Sequence, residues 1–473
     1  MRLSSIRFLS VLAILVGFPI AVGAEDQLKV ETIYENNCAS CHGAKFEGGS
    51  GGSLVDGIWN HGSNDDDLAR AIDQGFPNLG MPAMGTVLKP DQIRALVVYL
   101  REKEKDKASA KISIPKPQFG VAVPSQYQTY KVERVIEGLN NPWALAFLPD
   151  GRKLVTEKSG TLRMIDAAGK LLADPVSGTP TVTDQGQGGL LAVAVHPDYA
   201  KNGWIYLAFS DPLESDTGKS MTAVVRGRLK ENAWVDQQWI YRADEKFYGG
   251  AAHHFGTRIV FDQGYIYFVV GERGGNMEAQ DIRRPNGKMF RLFDDGRIPP
   301  DNPFVSEPGA EPGIWSYGHR NPQGLTKDPR DNAIYVTEHG PRGGDEFNLI
   351  QKGRNYGWPV ICYGMNYDGR PISALTAKEG MEQPLTYWVP SIAPSGLAIY
   401  MGDQLPKWKG DFFAGSLRAQ ELHRLRMKDG KVVEEETVLK GIGRIRDVVL
   451  GPDGALYLVL NGPDSIIRLV SAE

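Results

Sequence analysis

Cysteine is scarce in this chain: three residues in 473, at positions 38, 41 and 362. The count is odd, so at least one thiol has no disulfide partner within the chain. An excess of positive charge is also lacking. Lys and Arg number 53 against 57 Asp and Glu, and the net charge of −4 offers no basic surface for nucleic acid. Past the first two dozen residues no run approaches the ~18 consecutive apolar residues of a spanning helix. What is present is ordinary for folded, soluble protein, with 41% hydrophobic and 23% charged residues over a length beyond one typical domain. Glycine (55) and proline (30) are both somewhat high, which suits a turn-rich β architecture.

Residues 1–24 read as a secretory signal. Arg2 and Arg7 give a positive start, Phe8 to Val22 is apolar but short for a span, and Val22-Gly23-Ala24 offers small residues before a cut after Ala24. The alternative is an uncleaved membrane anchor. The expected location is the periplasm, with no transmembrane segment left after cleavage.

Two of the three cysteines stand in Cys38-Ala39-Ser40-Cys41-His42, the pattern of c-type haem attachment. Each thiol can add to a haem vinyl group, and the adjacent imidazole then lies under the iron. A redox disulfide between Cys38 and Cys41 is the alternative, but His42 and the lack of a thioredoxin-like βαβ context argue against it. Cys362 is left over, as a buried and inert thiol. A second axial ligand is offered by Met81 in Gly80-Met81-Pro82, on a Gly- and Pro-rich loop over residues 75–85. Met with His raises the potential and makes an electron acceptor. Met84 competes, and His61 would imply bis-histidine ligation. Helices are expected over Leu28–Asn36 and from Lys89 onward, where Ile93, Leu96, Val97 and Leu100 recur at helical spacing. Residues 25–103 are therefore expected to form a small all-α haem domain. A charged and then Pro-bearing stretch, 104–128, reads as an interdomain linker.

From residue 129 to 473 the chain repeats an apolar strand, an Asp/Gly/Pro turn and a second apolar strand. Leu145–Gly151 leads into Lys153–Glu157 and Ala192–Asp198 into Trp204–Ala208. Arg258–Asp262 leads into Tyr265–Val269 and Gly324–Pro329 into Ala333–Thr337. Ser395–Tyr400 leads into Asp411–Gly415 and Val448–Gly454 into Leu456–Leu460. About six such units, at irregular spacings of roughly 50–75 residues, suggest the blades of a β-propeller, the alternative being a β-sandwich. Polar clusters fall where these strands end, around Gln187, His253-His254, His319-Arg320-Asn321, Glu338-His339, Asp345-Glu346 and Arg444-Ile445-Arg446. A propeller gathers such loops about one axial funnel, where they would supply a base, a carboxylate and several arginines for an acidic ligand. Arg444 and Arg446 alternate onto one face of an extended segment. His196 and His423 read as structural.

Tyr317–Gly324, the run from Thr337 to Ile350, Asn355–Pro359 and Ile445–Val448 resemble the PQQ-dependent aldose sugar dehydrogenases, relatives of soluble glucose dehydrogenase, over about residues 130–470. The N-terminal module is similar to class I cytochromes c. The resemblance implies an all-β, six-bladed propeller behind a small all-α cytochrome domain. It makes His254 the general base for the C1 hydroxyl of the sugar, with Asp345 near enough to tune or orient it. Gln187 would border substrate and quinone, and Arg320 and Asn321 would polarise the quinone carbonyl. Arg418, Arg444 and Arg446 would pair with the carboxylates of PQQ, with Ser391 nearby. Carbonyls of Gly340 and Pro341 would hold a Ca²⁺ that grips PQQ, and Glu346 and the Tyr356 carbonyl a second, structural one. Three positions depart from soluble glucose dehydrogenase: Arg418 replaces a lysine, His339 replaces a glutamine and so puts a titratable side chain where it could alter the pH profile, and His253 replaces an aspartate, which puts substrate choice in question. The implied function is oxidation of an aldose at C1 to a lactone, with electrons passed through PQQ to one covalent haem c and then to an external cytochrome or oxidase. The competing classes are a PQQ dehydrogenase for another alcohol or aldehyde, a ligand-binding propeller without catalysis, and a lactonase-type hydrolase.

Overall fold

The computed structural model describes residues 28–110 and 114–472, so the expected signal at 1–24 lies outside the described residues. Within residues 28–110 the regular elements are helices, joined by long loops such as 43–64. Val30–Asn37 runs into the one-turn helix Ala39–His42 that carries the cysteine motif. Asp65–Gln74 starts on Asn64, whose side chain accepts from the Asp67 N–H while Asp67 returns a bond to Asn64. Pro90–Ser109 opens with proline in its first turn and buries Ile93, Leu96, Val97 and Leu100, the positions picked out by helical spacing. This helix continues six residues into the segment expected to be linker, because the charged run Arg101–Lys107 stays helical, with Glu102 buried and exposure beginning at Lys105.

The remainder is a six-bladed β-propeller, with six separate antiparallel sheets. The innermost strands are Pro142–Phe147, Leu190–Val195, Gly256–Asp262, Pro322–Lys327, Pro394–Ile399 and Arg444–Leu450, and each neighbours the next in a closed ring. A sandwich has no such ring, so that alternative falls. The six repeats found in the sequence are the two inner strands of the six blades. Closure comes from Thr129–Glu137, which pairs with the last strand, Ser465–Ser471, and ties the first residues of the propeller to the final blade. Ala122–Pro124 pairs with it in turn, so these residues too belong to the propeller and not to a linker. Large apolar side chains fill the space between blades, among them Trp408, Phe290, Phe347 and Phe412, all fully buried. Among the described residues no helix is long and apolar enough to cross a membrane.

Candidate functional site

The ring has two ends, and the chemistry collects at one. Gln187 precedes the inner strand Leu190–Val195, His254 precedes Gly256–Asp262, and Arg320 and Asn321 precede Pro322–Lys327. Ser391 precedes Pro394–Ile399, and Arg444 begins Arg444–Leu450. The second strand of a blade runs back to the same end, and so delivers Glu272, Glu338, His339 and Arg418 there. Five of the six blades thus point polar residues at one mouth.

His254 is held by three constraints. Its backbone sits at φ 55°, a left-handed conformation that costs a non-glycine residue on the order of 1 kcal/mol. Its N–H donates to Gln187 Oε1 at 2.8 Å. Its carbonyl passes so close to Gly271 that a Cβ there would lie 2.1 Å from the oxygen, so only glycine fits. The ring Nδ1 is in contact with Glu272 Oε1. Burial, with the guanidinium groups of Arg320 and Arg273 adding to it, drives the imidazole down to about 2, and burial raises the Glu272 carboxyl. His254 is therefore a free base at neutral pH. Its Nδ1–H donates to the Glu272 carboxylate, which leaves Nε2 as the basic atom.

Sequence reasoning put Asp345 in that supporting place. In the structure the carboxylate against His254 is Glu272. Asp345 is fully buried and accepts from the Gly340 N–H (2.8 Å), the Ser391 hydroxyl (2.6 Å) and the N–H groups of Ile392 and Ala393 (2.7 and 2.8 Å). It staples the fourth blade to the chain leading into the fifth, and burial pushes its carboxyl up to about 6. Ser391 is engaged in the same staple, and its carbonyl accepts from Arg418, which is exposed. The hairpin of Arg258–Asp262 with Tyr265–Val269, extended back along its register, sets His254 opposite Arg273, and only the register shift between Gly256 and Ile259 brings Glu272 there instead.

Arg320 is buried and donates from one amino group to the carbonyls of His339 (3.1 Å) and Gly340 (2.7 Å). Asn321 is fully buried, and its Oδ1 accepts from the Gly256 N–H at 3.1 Å. Several buried polar atoms here have no hydrogen-bond partner: Arg320 Nε, Asn321 Nδ2, Glu272 Oε2 and His339 Nε2. Groups of this kind are rare in folded proteins unless a ligand or water completes them. Burial first, and then the charges of Arg320 and Arg446, push His339 down to about 3. It stays neutral across the working range, so the expectation that it would shape the pH profile loses its basis. Arg446 bonds Asn461 and Gln323, and burial with Arg444 and Arg258 beside it lowers it to about 9. Arg444 is exposed, and the register of its strand shifts between Ile445 and Asp447, at Arg446, so simple alternation does not set the two arginines on one face. His253 is exposed at the mouth, with its ring 4.5 Å from that of His254.

Gly340, Pro341, Glu346 and Tyr356, assigned by resemblance to two calcium ions, line one small cavity of about 20 Å³, together with Glu338 and Cys362. That is room for one small ion or water. Burial and the neighbouring Glu338 raise the Glu346 carboxyl to about 8, the behaviour of an anionic group without a cation. Carboxylate and carbonyl oxygens are the donors a hard cation takes. No cluster of three or more His, Cys, Asp or Glu suited to a metal occurs among the described residues. Cys362 is buried, and its thiol is pushed up to about 11, as expected of an inert cysteine.

The helical domain holds a second cavity, of about 580 Å³, lined by Cys38, Cys41, His42, His61, Met81 and Met84. Both cysteines are free thiols and not a disulfide. His42 Nδ1 lies 2.8 Å from the Gly52 carbonyl, which fixes the proton there and frees Nε2 for a metal. Met81 is half-buried and Met84 buried, and His61 stacks on Phe76 with ring centres 3.9 Å apart. His196, bonded to Asp294, and His423, between Glu421 and Glu435, are structural as read.

Comparison with known proteins adds to this geometry. Residues 139–468 match the family described as Glucose / Sorbosone dehydrogenase, and residues 25–100 that described as Cytochrome C oxidase, cbb3-type, subunit III. The chain is similar to aldose sugar dehydrogenase YliI of Escherichia coli K12, 45% identical over 350 residues, covering 72% of this chain and 93% of that protein. Among solved structures it is similar to the soluble aldose sugar dehydrogenase of Escherichia coli in its apo-form, at TM-score 0.68 and 41% identity over 72% of this chain and 99% of that one. It is also similar to the PQQ-bound form of aldose sugar dehydrogenase from Streptomyces coelicolor, at TM-score 0.59 and 30% identity over 72% of this chain and 98% of the other.

Proposed function

Because the chain belongs to the glucose/sorbosone dehydrogenase family and carries a cytochrome c domain before its propeller, we propose that it is a periplasmic quinohaemoprotein. It oxidises an aldose at C1 to the lactone with PQQ and passes the electrons to its own covalent haem. The observation that carries this reading is the set of partnerless buried polar atoms around His254, Arg320 and Asn321 at one mouth of the ring. They are what a planar, polar cofactor would complete.

When bound, PQQ supplies a two-electron acceptor for the sugar's C1 hydride. The chain's own residues supply the rest. His254 Nε2 takes the C1 hydroxyl proton, and Glu272 holds the tautomer that makes this possible. The partnerless N–H groups of Arg320 and Asn321 stabilise negative charge as it develops. Arg418, Arg444 and Arg446 present cations suited to carboxylates, and Gln187 borders the sugar. Gly340, Pro341, Glu346 and Tyr356 would hold calcium, which supplies Lewis acidity and a rigid floor. In the helical domain Cys38 and Cys41 would carry the haem, with His42 and Met81 as the candidate ligands of its iron, and the group would supply a one-electron acceptor.

The test is reconstitution. Protein matured with haem, supplied with PQQ and Ca²⁺, is assayed for lactone formation from a panel of aldoses with a dye as acceptor. Lactone that depends on PQQ supports the reading, and no turnover of any aldose by the PQQ-loaded protein overturns it.

Two further results are expected. Glu272→Gln removes the charge that stabilises the imidazolium formed on proton abstraction, and turnover falls by on the order of 10²-fold or more while the fold and the haem spectrum are kept. Calcium binding releases the Glu346 proton, so affinity measured by titration calorimetry rises with pH, by up to about tenfold per unit, until pH about 8 and then levels off.

A further inference from the structure

The haem domain is not hung on a tether. It is seated on the fourth blade through contacts between residues hundreds of positions apart. Arg342 bonds both oxygens of Glu102 (3.2 and 3.0 Å) and, from another amino group, Glu31 at 2.7 Å, with Tyr99 under its guanidinium. Arg94 donates to the Tyr363 carbonyl at 3.3 Å and to Asp65, which in turn accepts from Tyr387 Oη at 2.9 Å. The Val30 N–H pairs with the Gly369 carbonyl at 2.9 Å. Met365 is fully buried as a member of the haem domain's own apolar core, with Val389 packed against it. Arg94 and Glu102 are buried although charged. Buried charges of this kind are held only while their partners stay in place.

The helix Pro90–Ser109 has a different neighbour on each side. Leu96 and Leu100 line the haem cavity. Arg94, Val98 and Glu102, one turn apart and about 200° round from Leu96 and Leu100, face the propeller. Val98 meets the segment Gly340–Gly344: a Cβ on Gly343 would lie 3.1 Å from Val98 Cγ1. The other end of that segment is the Gly340 carbonyl, bonded to Arg320. One short stretch of backbone therefore runs from the catalytic mouth to the back of the haem-domain helix.

The geometry points to a permanent seating of the haem domain on the fourth blade, clamped by Arg342 and Arg94, with Gly340–Gly344 and the helix at Val98 as the electron exit from the propeller. This rests on the function proposed above. Each sugar loses two electrons and two protons at C1. With PQQ and haem bound, those two electrons would pass one at a time to the haem held by Cys38, Cys41 and His42, and an external one-electron oxidant such as a cytochrome would take each from it in turn. The haem is then reached across one helix and not by collision, and its cavity stays on the side away from the propeller.

Two measurements on the full-length haem protein test this. The first needs no PQQ. Small-angle scattering of the wild type fits one compact particle, and Arg342→Ala combined with Arg94→Ala gives a more extended one. The second inserts a 20-residue Gly/Ser spacer after Lys116 and follows haem reduction by sugar in the PQQ-loaded protein. A tethered domain loses effective concentration as its linker grows, whereas a seated one does not. The expected result is an unchanged rate in the wild-type background and at least a tenfold fall in the double variant, with dye-coupled turnover kept in both. A wild type that scatters as two separated bodies, or a spacer that slows haem reduction in the wild-type background, overturns the seating. If no sugar reduces the haem in any form while scattering shows one body, the proposed function fails and the seating stands.

Discussion

Replacing His254 by alanine should reduce sugar oxidation by on the order of 10²–10⁴-fold, the usual contribution of a placed general base. The argument is geometric before it is electrostatic. A strained backbone, the Gln187 bond and the close pass over Gly271 fix where the imidazole stands. Glu272 fixes which nitrogen is basic. Burial keeps the ring unprotonated at neutral pH, so no other group has to prepare it. The same variant should bind its haem covalently, give the normal ferrous spectrum with dithionite and melt within a few degrees of the wild type, because the His254 side chain touches the mouth and not the core between blades. A fall in turnover accompanied by loss of the haem spectrum would indicate misfolding; full activity in the variant removes His254 as the base.

The second large effect is expected from Cys38→Ser combined with Cys41→Ser. The two thiols line the cavity with His42 and are free to form thioether bonds. Without them, haem should be absent from the denatured chain, as read by haem staining after electrophoresis, and sugar should no longer reduce any haem bound to it. Oxidation measured with a dye that takes electrons at the propeller should persist, since His254, Arg320 and Glu272 all lie in the other domain. The contrast between the two variants separates the two halves of the mechanism: one loses chemistry and keeps the electron acceptor, the other does the reverse.

Much of this was legible in the sequence because it rests on local patterns. Strand, turn, strand repeats depend on alternation and on Asp, Gly and Pro at fixed places, so the six pairs of inner strands could be marked before the ring was seen. The cysteine motif is equally local, and so is the apolar spacing of Ile93, Leu96, Val97 and Leu100. What was missed is non-local. Glu272 is paired with His254 only through a hairpin whose register shifts at a bulge between Gly256 and Ile259. Asp345, next to a metal-like run, was the more visible carboxylate, and nothing in its neighbours in sequence betrays that Ile392 and Ala393 use up its oxygens. The seating of the haem domain depends on Arg342 finding Glu31 and Glu102 across 311 and 240 positions. A stretch rich in Lys, Glu and Pro reads as a tether whether or not the domains it joins are docked.

The central claim is that sugar oxidation in the propeller drives the haem in the same molecule. Its most direct test is anaerobic stopped-flow mixing of the PQQ-loaded ferric protein with an aldose, at low protein concentration and without any external acceptor. The ferrous haem band should appear in a single intramolecular phase whose rate does not change with protein concentration. If the aldose is converted while the haem stays ferric, or if the band forms at a rate proportional to protein concentration, the two domains are not the two ends of one electron path.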